Sequence, residues 1–114
     1  MSPITTHVLD TARGQPAEGL AVVLDRCEGT AAWVELARGL TNADGRSTTL
    51  LPVGAALTTG VYRLRFATAG YFASLGVRCF YPEVLVVFQI DDPAGHYHVP
   101  LLLSPYGYST YRGS

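Results

Sequence analysis

Apolar and polar positions alternate along most of the chain, in short runs separated by Gly, Pro, Asn and Asp. A period of two marks a strand with one buried face. Residues 4–10 predict a first strand, with Ile4, Thr6 and Val8 on one face and Thr5, His7 and Leu9 on the other. Gly14 and Pro16 turn the following stretch into a loop. Residues 20–27 predict a second strand, its Leu20, Val22 and Leu24 aligned, and residues 31–38 a third, with a turn at Glu28 and Gly29 between them. The stretch Thr-Asn-Ala-Asp-Gly-Arg at 41–46 is a turn, because glycine after Asp accepts the positive φ that tight turns need. Residues 47–59 are polar and carry Pro52 and Gly54, which suits a strand fragment and a loop.

The clearest amphipathic strand spans 60–68, where Tyr62, Leu64 and Phe66 face one way and Arg63 and Arg65 the other. Residues 68–75 are the only stretch that predicts a helix, about two turns long. Residues 83–91 are so rich in Val, Ile and Phe that a central strand is expected. A turn at 92–95 leads to a strand over 96–103, broken by Ser-Pro-Tyr-Gly and followed by a polar, Tyr-rich tail over 108–114. Seven or eight short strands at this spacing predict an all-β sandwich. With 114 residues and no linker or internal repeat, residues 1–114 read as one domain.

Composition sharpens that picture. Hydrophobic residues make up 48% of the chain and charged residues 15%, against roughly 25% in an average domain, so much of the surface lacks charged cover, as in an oligomer. A net charge of −1 gives no electrostatic basis for binding nucleic acid or an anionic membrane. All eight basic residues are Arg, which rules out Schiff-base chemistry through a lysine amine. Cys27 and Cys79 read as small buried hydrophobes or as a disulfide pair, and nothing points to an oxidising compartment. The first residues lack the basic and apolar regions of a secretory signal, and the longest apolar run, 84–88, is far too short to span a bilayer; a cytoplasmic location is expected.

Three histidines carry the candidate chemistry. His96 and His98 lie two apart and share a strand face, opposite the core set Tyr97, Val99, Leu101 and Leu103. His7 also lies on the outward face of its strand, so His7 and His98 would share a surface if their strands pair. Imidazole titrates near neutrality and suits proton transfer in hydrolysis; as an alternative, three histidines match an open zinc centre. Arg46, after the Asp-Gly turn, is either a solvated turn cation or a clamp on an anion or carbonyl. The tail Tyr111, Arg112, Gly113 and Ser114 offers an aromatic anchor, a cation, a glycine and a terminal carboxylate, or is simply a frayed end. No phosphate-binding loop, nucleophile elbow or paired-cysteine motif is present.

Four segments resemble the 5-hydroxyisourate hydrolases, the enzymes related to transthyretin: residues 5–17 (TTHVLDTARGQPA), 41–46 (TNADGR), 80–84 (FYPEV) and 96–114 (HYHVPLLLSPYGYSTYRGS). The ending Tyr-Arg-Gly-Ser separates these enzymes from true transthyretins. The resemblance implies a transthyretin-like sandwich of two four-stranded sheets with one short helix. It also implies a homotetramer, a dimer of dimers, with active sites in the channel between dimers. The implied reaction is hydrolysis of 5-hydroxyisourate to 2-oxo-4-hydroxy-4-carboxy-5-ureidoimidazoline in urate degradation, without metal or other cofactor. His7, Arg46 and His98 fall on the family's catalytic positions, and Tyr111, Arg112, Gly113 and Ser114 on its substrate-binding tail; His96 stands beside the motif. A transthyretin-like small-ligand carrier, a zinc hydrolase and a purely structural sandwich are the competing readings.

Overall fold

The computed structural model describes residues 2–52 and 54–114. Its strands are β1 (Ile4–Asp10), β2 (Gln15–Pro16), β3 (Ala21–Glu28), β4 (Ala32–Leu40), β5 (Arg46–Ser47), β6 (Gly60–Phe66), β7 (Val84–Ile90), β8 (Tyr97–Ser104) and β9 (Gly107–Thr110), with one helix, α1 (Thr68–Ser74), between β6 and β7. They form two sheets. One runs β4-β3-β6-β7, and the other β2-β1-β8-β9, with β5 paired to the same edge of β1 as β2. The sandwich expected from the sequence is therefore present, with β5 as an added two-residue segment.

The alternation decides what lies between the sheets. From one side come Ile4, Val8, Val99, Leu101 and Leu103; from the other Val22, Leu24, Tyr62, Leu64 and Phe66, all buried. Each such side chain contributes on the order of 1.5–3 kcal/mol when fully buried. A register slip of one residue would expose a whole set at once, so the core locks each strand's outward face as firmly as its inward one. Helix α1 adds Tyr71 and Phe72 to the core. It ties back to β1 where the Tyr71 hydroxyl donates to Asp10 Oδ2 at 2.8 Å. Burial and the Asp10 carboxylate push the Tyr71 hydroxyl above its ordinary value. No helix among the described residues is long and apolar enough to cross a membrane.

Several expectations change. Strand β7 is an edge, not a centre. Its Val84, Val86 and Ile90 face the core, while Leu85 and Val87 are 45% and 57% exposed. An apolar run reads as central because both faces are apolar, yet here one of them is bare in the single chain. The Tyr-rich tail is not wholly irregular, since β9 pairs with β8 from Leu101↔Thr110 to Ser104↔Gly107. Residues 15 and 16 form the short β2 inside the expected loop. Strand β8 starts at Tyr97, which leaves His96 just before it. Cys27 and Cys79 are unpaired and half-buried, neither fully buried nor bridged. The loop expected over 47–59 is present after Ser47, except that Val53 lies outside the described residues, as does Met1.

Candidate active site

Three neighbouring strands deliver the predicted residues to one surface. Strand β1 runs parallel to β8 with Thr5 opposite His98, and antiparallel to β5 with His7 opposite Arg46. Ile4, Thr6 and Val8 fill the core face, so Thr5 and His7 point outward, and the residues opposite them share that face. His7 and His98 are half-buried, Arg46 and His96 are exposed, and Thr5 is buried at 2% exposure.

The turn before Arg46 is built by its own side chains and by one glycine. Asn42 Oδ1 accepts from the amides of Asp44 at 2.9 Å and Arg46 at 3.0 Å. Gly45 has φ of 74°, and its carbonyl accepts from the Val8 amide at 2.7 Å. A Cβ at Gly45 would stand 2.3 Å from the Val8 carbonyl oxygen, so nothing larger fits where β5 meets β1. This close approach sets Arg46 beside His7.

The chain end closes on the same place. The Gly113 amide donates to the His98 carbonyl at 2.8 Å, and a Cβ at Gly113 would fall 2.5 Å from His98 Cδ2. The glycine lets the tail lie flat against the imidazole edge. Ser114 thereby reaches a cleft of about 160 Å³ lined also by Thr5, Arg46, Thr48, His96 and His98. Tyr111 and Arg112 point elsewhere. With His98 as a shared wall they line a neighbouring hollow of about 330 Å³ against β7. There the Arg112 guanidinium stacks 4.7 Å from the centre of the Tyr97 ring. The tail residues are thus divided, Ser114 on one side of His98 and Tyr111 with Arg112 on the other. His7 adjoins the smaller cleft through Arg46 and does not itself line it.

The electrostatics favour neutral imidazoles. Burial lowers the pKa of His7, and the Arg46 cation lowers it further, while the Asp44 carbonyl and carboxylate pull the other way. His98 is lowered by burial first, then by Arg46, His7 and His96, against the Thr5 carbonyl. Among the described residues Arg46, which lines the cleft, has no ion pair and no side-chain hydrogen bond, so its donors are unspent. Two imidazoles able to exchange a proton and one guanidinium free to hold an oxyanion make a set suited to hydrolysis.

Among the described residues no three His, Cys, Asp or Glu side chains stand together as metal ligands would. His96 and His98 instead both turn to Thr5, whose Oγ1 lies 3.3 Å from His96 Nε2 and 2.8 Å from His98 Nδ1. Thr5 and Thr48 are the cleft residues that sequence reasoning missed. The strand parity that puts Thr5 on the His7 face was a usable signal for the first; nothing in the loop pattern marked the second.

A model of the HIUase/Transthyretin family matches residues 4–113. The 5-hydroxyisourate hydrolase of Mus musculus is 50% identical over 114 residues, covering 99% of this chain and 96% of its own length. Among solved structures, the Klebsiella pneumoniae 5-hydroxyisourate hydrolase superposes with a TM-score of 0.83 at 41% identity, covering 97% of this chain and 98% of that one. Sea bream transthyretin in complex with thyroxine superposes with a TM-score of 0.89 at 32% identity, covering 98% and 95%.

Proposed function

This chain belongs to the HIUase/transthyretin family, and from that premise we propose that it is the hydrolase of 5-hydroxyisourate in urate degradation, opening the ring to 2-oxo-4-hydroxy-4-carboxy-5-ureidoimidazoline. One observation carries the reading. An unpaired Arg46, two imidazoles with depressed pKa and the Ser114 terminus meet on one sheet face. Superposition alone does not separate hydrolase from carrier, because a transthyretin overlays this chain at least as well as a hydrolase does. The side chains separate them. An apolar carrier site has no use for a proton-exchanging pair beside an unspent cation.

The chemistry follows from the parts. Water adds to the carbonyl carbon of the cyclic amide as one neutral imidazole takes its proton. The carbonyl oxygen becomes an oxyanion, and the planar Arg46 guanidinium is the donor that offsets that charge. The carbon–nitrogen bond then breaks, and the nitrogen leaves with the proton taken from water, handed over by that imidazolium directly or through the second imidazole, so that both rings end neutral. His7 and His98 are the two proton carriers, and no metal or cofactor enters the scheme. Ser114 walls the cleft directly. Tyr111 and Arg112 act from the adjoining hollow, and Gly113 seats the tail.

In the single chain this cleft is shallow and open, and the bare Leu85 and Val87 on edge strand β7 leave apolar surface uncovered. Both features support a homotetramer, a dimer of dimers, whose channel completes the walls. Residues 1–114 form its single repeating domain. The unpaired cysteines fit a cytoplasmic setting.

The test is the decay of freshly generated 5-hydroxyisourate, followed by ultraviolet absorbance with and without a chelator. Catalysed decay that saturates with substrate and survives chelation is expected. Saturable binding with no turnover would establish the carrier reading instead, and turnover abolished by chelation and restored by zinc would establish the metal one.

A further inference from the structure

We propose that Thr5 is a positioning residue for His98: its hydroxyl holds the imidazole in the tautomer protonated on Nδ1 and so keeps Nε2 as the unprotonated nitrogen. The consequence for turnover rests on the hydrolase reading; the tautomer itself does not.

Thr5 Oγ1 has one proton to give and lone pairs to receive. It lies within hydrogen-bond reach of two rings, 2.8 Å from His98 Nδ1 and 3.3 Å from His96 Nε2. One proton cannot serve both rings as donor, so at most one imidazole accepts from the hydroxyl; where both rings donate to it, His98 already carries its proton on Nδ1. Where one ring donates and the other accepts, two arrangements remain. In the first arrangement His98 Nδ1–H donates to Thr5 and Thr5 donates to His96 Nε2. In the second both directions reverse, and His98 must carry its proton on Nε2.

The surroundings select the first. Arg46 shares the cleft, carries only donors and acts on His98 as a nearby positive charge. Such a cation favours a lone pair, not an N–H, on the ring nitrogen left to the cleft, and with Nδ1 engaged by Thr5 that nitrogen is Nε2. His96 is exposed, so its own Nδ1–H is free to bond water. Among the described residues no hydrogen bond occupies His98 Nε2, which remains available to substrate or to the attacking water.

Neither partner can readily drift. Thr5 is buried and lies directly opposite His98 in the parallel β1–β8 register. On its other edge the ring meets Gly113 so closely that a Cβ there would sit 2.5 Å from Cδ2. Flipping the ring would exchange Nδ1 for carbon and forfeit the Thr5 bond. The assignment makes His98 the group that first accepts a proton from water, and it leaves His7 to relay that proton to the departing nitrogen, so that both rings return to the neutral state.

The test compares Thr5→Val, which removes the hydroxyl at nearly constant volume, with Thr5→Ser, which keeps it. Imidazole ¹⁵N shifts of the full chain read the tautomer directly, the His98 signals being assigned by their loss in His98→Asn. The wild type and Thr5→Ser should show His98 protonated on Nδ1, and Thr5→Val a mixture or Nε2 protonation. In the decay assay Thr5→Val should lose about tenfold or more in kcat with KM within about twofold, and its acid limb should move, while Thr5→Ser restores most of the rate. A wild-type His98 protonated on Nε2 overturns the proposal, as does a folded Thr5→Val with unchanged kcat and pH profile. If Thr5→Val does not fold, the wild-type spectrum alone decides. A wild type with no turnover sinks the hydrolase reading and leaves the spectrum to decide Thr5.

Discussion

Each sheet carries a cluster built on arginine on its outer face, and the two differ in one respect. On β3 and β6, Asp25 is 2% exposed and accepts from Arg63 Nε and Arg65 Nε, each at 2.7 Å. Arg63 also lies 4.2 Å over the Trp33 ring, and Glu35 stands 3.7 Å from Arg65. Burial alone would raise the Asp25 carboxyl, but the Arg65 and Arg63 hydrogen bonds outweigh it and hold the pKa below the ordinary value. On β1, β5 and β8 the guanidinium of Arg46 stands beside imidazoles and, among the described residues, pairs with no carboxylate. The first cluster is electrically closed and staples adjacent strands. The second is open: among the described residues the Arg46 side-chain donors and His98 Nε2 have no hydrogen-bond partner. Unpaired polar groups cost a fold little at its surface, because water satisfies them there.

Exchanging the fates of the two clusters tests the contrast hardest. Arg46→Ala should lower kcat/KM for 5-hydroxyisourate decay about a hundredfold or more while Tm stays within about 2 °C. Asp25→Ala should do the reverse. Two partly exposed cations lose their shared partner, which costs about 1–3 kcal/mol and several degrees of Tm, while the rate stays within about twofold. Parallel losses of rate and stability in both variants would erase the distinction between a staple and a site.

Gly45→Ala probes how the open cluster is held rather than what it does. The added Cβ meets the Val8 carbonyl from a left-handed backbone position, so β5 must leave β1. A stability loss of about 2 kcal/mol or more, by denaturant titration, is expected together with a fall in rate. A stable, fully active Gly45→Ala would mean that Arg46 does not need the β1 contact.

The smallest effects lie along the pH axis, and they separate the clusters by window. His7 and His98 titrate below the ordinary imidazole value of 6.5. The unfolded chain therefore binds more protons than the native one as pH falls below that value. The contribution of the two histidines to stability is whole above 6.5 and is lost through their lowered native pKa values. The acid limb of kcat/KM should likewise have its midpoint below 6.5. Asp25 responds later. Its contribution is whole above the ordinary 3.8 and is lost only as pH falls through its depressed native value. Rate profiles and melting curves from pH 8 to 3 check both, and an acid limb at or above 6.5 would contradict the electrostatic account of the site.

Much of this was readable before folding was considered. The inward sets of β1, β3, β6 and β8 follow from alternation, and each is buried as the pattern required. The helix and the turn before Arg46 follow from composition and turn chemistry. Strand β7 was misjudged because an apolar residue that awaits a partner looks, in sequence, like one covered by its own chain. Strand β9 was missed because Gly, Tyr, Ser and Thr owe their strand geometry to β8 and not to their own alternation.

What the sequence determined by itself was which residues share a face in several of the long strands. That property is local, written in a two-residue period. What only the tertiary structure decided was adjacency. The pairing of Thr5 with His98, of His7 with Arg46 and of Gly113 with His98 joins segments far apart along the chain. Such contacts arise from burying one shared core between two sheets, and no short window of sequence contains the residues whose burial brings them together.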